Sequence, residues 1–170
     1  SLIKNRPFTA EMTRSIMLLK EKPYRPRMAD YRIGVFFTER ERLGEGAQTT
    51  APVYYANRWD IQPSDTAAYL RGEKVKPTKQ IIFYIDNTFP EKWKPYLREG
   101  VTQWNELFEQ IGFKDVIVAK DFPTNDPEFD PDNIKYSCVR YAPSSIENAM
   151  GPSWVDPRSG EILNASVYLY

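Results

Sequence analysis

The stretch from Lys79 to Ala119 constrains the fold more than any other part of the chain. Ile81-Ile82-Phe83-Tyr84-Ile85 is a nearly continuous apolar run, as expected of a strand covered on both faces. Behind it, Trp93, Leu97, Val101, Trp104, Phe108 and Ile111 fall three or four residues apart and predict one helix with a single apolar stripe. At that spacing the tryptophans are expected to pack in the core. Thr88 and Glu91 have the spacing of a capping box, Pro90 is tolerable in the first turn, and Gly112 suits a C-terminal cap. Pro95 should kink the helix or mark its true start. Val116-Ile117-Val118-Ala119 follows too soon for a second crossover, so a β-α-β unit with two parallel strands is predicted.

After that unit come a strand at Ile134–Tyr141 and a C-terminal hairpin. Its arms are Gly151–Val155 and Glu161–Leu169, and Pro157 and Gly160 serve the turn between them. Before the unit, Phe8 to Lys22 places Met12, Ile16 and Leu19 at helical spacing, with Thr9 as a cap. Lys22-Pro23-Tyr24-Arg25-Pro26-Arg27 then breaks any helix and is expected to be a solvated turn. Strands are predicted at Tyr31–Thr38 and Pro52–Ile61, with a polar loop over Glu39–Thr50, and the two could pair as a hairpin. Pro63–Pro77 reads as a linker with one short helix around Asp65–Arg71. The fold class is α+β: a mixed twisted sheet with a β-α-β unit and a C-terminal hairpin, preceded by a small, mostly β segment. The division falls between residues 1–78 and 79–170.

Composition narrows the function. Lys+Arg and Asp+Glu balance at 23 each, so no broad attraction to nucleic acid or to an anionic membrane is expected. No apolar run approaches the ~20 residues of a membrane span. No signal peptide is present, which, with Ser1 at the start, says nothing about secretion. There is no histidine at all, which removes the commonest metal ligand and the commonest general base. The single cysteine, Cys138, lies in a run of β-formers and is expected to be a plain buried thiol.

The remaining candidates for chemistry are thin. Asp126, Glu128, Asp130 and Asp132 alternate along one loop, as calcium ligands would, but the sharp-turn glycine is missing and Pro131 stands in the series. A solvated, proline-stiffened loop is the expectation. Ser144, Ser145 and Ser153 have no histidine to activate them. A pair of carboxylates for glycoside cleavage remains open. Asn164-Ala165-Ser166 matches a glycosylation sequon but falls on a predicted strand.

Several segments together carry a family resemblance. Phe83-Tyr84-Ile85-Asp86-Asn87, Trp93-Lys94-Pro95-Tyr96-Leu97 and Gly100-Val101-Thr102-Gln103-Trp104-Asn105 resemble the opening of a bacterial metzincin-type zinc metallopeptidase. So do Ile111-Gly112-Phe113-Lys114, Asp126-Pro127-Glu128-Phe129-Asp130 and Tyr136-Ser137-Cys138-Val139-Arg140-Tyr141. The resemblance is closest over Asn148-Ala149-Met150-Gly151-Pro152-Ser153-Trp154-Val155-Asp156-Pro157-Arg158-Ser159-Gly160-Glu161-Ile162. These are similar to the large zinc-dependent metallopeptidases typical of Bacteroidetes, and Lys22–Met28 resembles the segment that precedes their catalytic domain.

The resemblance implies a metzincin-like N-terminal subdomain and, in the parent protein, hydrolysis of peptide bonds by zinc-activated water. The family's His-Glu-x-x-His helix follows the strand at which this chain ends, and none of its residues occurs here. The expectation is a fragment whose catalytic residues lie beyond Tyr170, itself inactive and without zinc or another cofactor. The resemblance further implies an antiparallel edge strand on the rim of the cleft, at Met150, Gly151, Pro152, Ser153, Trp154 and Val155. Their backbone would hold a peptide or protein substrate as an added strand. Export to the periplasm or cell surface follows from the resemblance alone. Loss of the active-site helix would uncover a sheet face near Ile82, Val118 and Val167 and favour self-association. The alternative is a non-enzymatic α+β module that binds peptides or glycans.

Overall fold

The computed structural model describes residues 7, 9–44, 46, 48–145 and 147–170. β1 (Phe37–Leu43) and β2 (Thr50–Ala56) pair antiparallel as a separate two-stranded ribbon, with Phe37 opposite Ala56. The short helix α1 (Thr66–Leu70) precedes β3 (Ile81–Ile85). One 3-10 turn (Glu91–Trp93) then leads into α2 (Lys94–Thr102) and α3 (Asn105–Gln110). Strands β4 (Ile117–Asp121), β5 (Ser137–Tyr141), β6 (Ala149–Met150), β7 (Ser153–Asp156) and β8 (Glu161–Leu169) complete the order.

The large sheet runs β4-β3-β5-β8-β6, with β7 also paired to β8. β4, β3, β5 and β8 are parallel, and β6 and β7 are antiparallel to β8. The fold is therefore α+β with a mixed sheet, containing the β-α-β unit and the C-terminal hairpin that the sequence predicts. Gly160, at φ 73°, closes the hairpin turn.

Register assigns the faces, because partners in adjacent strands share a side and neighbours along a strand alternate. Ile81, Phe83 and Ile85 share a side with Ile117, Val139 and Val167, and this side packs against Leu97, Val101 and Phe108 of the helices. Ile85 and Val116 are wholly buried, each contributing on the order of 1.5–3 kcal/mol. Ile82, Tyr84, Val118, Cys138, Ser166 and Tyr168 lie on the opposite side. Ile82 and Val118 thus cannot share one uncovered face with Val167, a correction to the expected patch.

Polar side chains fasten the layers. Asn105 Oδ1 accepts from the amides of Val116 (2.8 Å) and Ile117 (2.9 Å), while its Nδ2 donates to the Ile117 carbonyl. Asn164, 2% exposed, donates from Nδ2 to the carbonyls of Ile134 and Tyr136. Its sequon nitrogen is therefore enclosed.

Trp59, Ile61, Ala68 and Val75 join Ile81, Phe113 and Ile117 in one cluster, so the division at residue 78 passes through packed core. Within that span Asp65 caps α1, accepting from the Ala68 amide at 2.9 Å, as the short predicted helix requires.

Other expectations are corrected. No helix forms over residues 9–22, and Phe8, its expected start, lies outside the described residues. Ile16 and Leu18 are 99% and 98% exposed, and a helix of that length with no face to bury is marginal in water. The first strand starts at Phe37 and runs through Glu39-Arg40-Glu41-Arg42, which the charge pattern assigned to a loop. Six of its seven residues are exposed, so no hydrophobic alternation marks it. The single helix divides into α2 and α3 at Gln103–Trp104, after Thr102 Oγ1 donates back to the Arg98 carbonyl at 2.8 Å, a bond that bends helices. Thr88 forms no capping box; its amide and hydroxyl both donate to Asp86 Oδ1. Trp93 and Trp104 are 43% and 59% exposed, so they are not core residues.

Candidate functional site

Met150–Val155 lie on the antiparallel border of the large sheet. Met150 pairs with Tyr168, Ser153 with Ala165 and Trp154 with Asn164, and the register slips between Trp154 and Val155. Pro152 separates β6 from β7 because it has no N–H to donate, yet its carbonyl accepts from the Ser166 amide at 2.9 Å. With Pro152 facing β8, strand alternation turns the backbone groups of Gly151 and Ser153 outward. Both residues are exposed, and Pro152 and Val155 are half-buried. A Cβ at Gly151 would meet only Val167 Cγ2 at 4.0 Å, so packing does not demand glycine there. Its bareness leaves the strand open to close backbone approach.

The side chains of the edge divide by role. Met150, 51% exposed, lies 3.5 Å from the Tyr170 hydroxyl through its sulfur. Trp154, 47% exposed, is no core residue. With Asn164, Ser166 and Tyr168 it lines a cavity of about 400 Å³, walled on the far side by Glu11, Thr13 and Ser15. The chain turns out of the edge at Asp156, which is nearly wholly buried. Arg158 donates from Nε and Nη2 to both Asp156 carboxylate oxygens, at 2.7 to 3.2 Å. That bond holds the Asp156 carboxyl below its usual range.

The N-terminal residues cross the sheet face that carries Ile82 and Tyr84. Ser15 Oγ accepts from the Ile134 amide at 3.3 Å and donates to the Asp132 carbonyl at 3.4 Å. Lys20 Nζ bridges Asp60 Oδ2 (2.8 Å) and Glu161 Oε1 (2.7 Å). These bonds, first to Asp60 and then to Glu161, raise the Lys20 ammonium above the ordinary lysine value. Sequence reasoning missed this triad, since its members lie 40 and 141 residues apart and no spacing signals them.

Cys138 is fully buried, and burial pushes its thiol up to about 12. Asp126 Oδ1 and Asp130 Oδ1 accept from the amides two residues on, and Asp132 pairs with Arg140 at 2.7 Å. Among the described residues, no group of three His, Cys, Asp or Glu could hold a metal. Among them, too, no helix is long and apolar enough to cross a membrane.

Residues 2–64 match the family model of a domain of unknown function, DUF5117. Comparison with curated proteins gives no match, and neither does comparison with solved structures. The matched span takes in the N-terminal crossing segment, the β1–β2 ribbon and Asp60, and stops short of α1 and of the whole large sheet.

Proposed function

We propose that this chain is the scaffold part of a zinc-dependent metallopeptidase and that its contribution is to hold substrate along the edge from Met150 to Val155. One observation carries this: four parallel strands are bordered by an antiparallel edge whose outer backbone groups, at Gly151 and Ser153, face solvent. An extended peptide laid there gains main-chain hydrogen bonds and pockets for alternate side chains. The exposed Met150 and Trp154 supply the apolar contacts.

The residues of this chain do not fit zinc. There is no histidine, and the only thiol is buried and protonated. Zinc and the hydrolytic step would belong to residues of the parent protein outside this sequence. Export to the periplasm or cell surface belongs to the same proposal. So does self-association of the isolated chain.

Amide hydrogen exchange of the chain with excess casein-derived peptides tests the edge. Exchange at Gly151 and Ser153 is expected to slow, and Ser153→Pro, which removes an outward N–H, is expected to abolish the slowing. Unchanged exchange at both amides would contradict the assignment.

A further inference from the structure

A cavity of about 570 Å³ opens where the first residues of β3 and β8 meet the N-terminal crossing segment. Trp59, Tyr84 and Tyr136 contribute aromatic walls, Asp60 and Glu161 two carboxylates, and Lys20 reaches in between them. The Glu161 side chain is only 7% exposed. Its Oε1 takes the Lys20 ammonium, while its Oε2 is buried with no hydrogen-bond partner among the described residues. A buried carboxylate oxygen without a donor is costly, so this half-filled acceptor pair calls for a cation with more donors. An ammonium is a compact point charge, whereas a guanidinium presents a planar fork that can satisfy both oxygens of one carboxylate.

We propose that Asp60 and Glu161 form a receptor for a guanidinium group carried on an extended peptide, and that Lys20 is its built-in, partial occupant. The site lies apart from the Met150–Val155 edge and does not rest on the metallopeptidase assignment. The Lys20 side chain is displaceable, while Arg158 Nη2 holds the Lys20 carbonyl at 2.8 Å. That side chain is 54% exposed, Ile16 and Leu18 before it contribute almost no buried surface, and the Ser15 bonds are long at 3.3 and 3.4 Å. An arginine from a partner peptide would enter the aromatic-walled cavity, pair with Glu161 through both oxygens and keep the contact to Asp60. The Lys20 ammonium would leave both carboxylates as the arginine binds.

Chemical complementation of the whole chain tests this. In Lys20→Ala, N-acetyl-arginine amide is expected to raise the thermal midpoint by about 4 °C at ten times its dissociation constant. N-acetyl-citrulline amide, its neutral isostere, is expected to give no rise, and N-acetyl-lysine amide a smaller one. The double variant Lys20→Ala/Glu161→Gln is expected to lose the response to arginine. Equal shifts with arginine and citrulline, or an arginine shift that persists in the double variant, would overturn the proposal. Lys20→Met keeps the packing of the lysine stem and serves as the second background for the same comparison.

Discussion

Asp156 shows how one residue can be nearly wholly buried and still ionised. Arg158 supplies a two-pronged charge-assisted bond from two residues away, and the Arg158 amide adds a third donor at 2.9 Å. The folded carboxyl therefore titrates below the unfolded value of 3.8. A lowered folded value means that the stabilisation is fully present above the unfolded value and is lost as pH falls through the folded one. Asp156→Asn is expected to cost about 1–3 kcal/mol at pH 7 and to flatten the fall in urea midpoint below about pH 4. Parallel pH profiles for the two proteins would refute this. At this scale the sequence was only partly readable. Pro157 and Gly160 announced the turn, but the Lys20–Asp60–Glu161 bridge joins positions that only folding brings together.

At the scale of elements, legibility followed burial. β3, β4 and β8 were readable because their side chains meet a core, and apolar pattern is a record of burial. β1 carries Glu and Arg in alternation on a ribbon open to solvent, and the residues before it show helical spacing with nothing to pack on. Pattern without a partner misled in both places. Gly160 permits the close approach of ribbon and hairpin, beside the backbone bonds of Arg58 to Gly160 and Ile162. A Cβ at Gly160 would stand 2.6 Å from the Ala56 carbonyl oxygen, at φ 73°. At Gly72, φ 85°, a Cβ would meet nothing within 4 Å. Gly72→Ala is expected to cost about 1 kcal/mol, from backbone strain alone, and Gly160→Ala about 2 kcal/mol or more. Equal losses in urea unfolding would mean that the close approach to Ala56 is unimportant.

For the whole molecule, the order β4-β3-β5-β8-β6 places β6 and β7, both antiparallel to β8, at one border of the large sheet. The sequence made that border legible through its hairpin, but not the N-terminal segment lying across the adjacent face. On the proposed reading this sheet belongs to a zinc peptidase and presents substrate along its edge. The most direct measurement is casein cleavage by the full-length gene product, with the metal removed by chelation and then restored. Cleavage that stops on chelation, returns with zinc and falls about tenfold or more in kcat/KM with Ser153→Pro, a loss of about 1.4 kcal/mol in transition-state stabilisation, is the predicted result. A zinc-loaded product that leaves casein intact while the edge still binds its peptides would contradict the claim and make the chain a binding module.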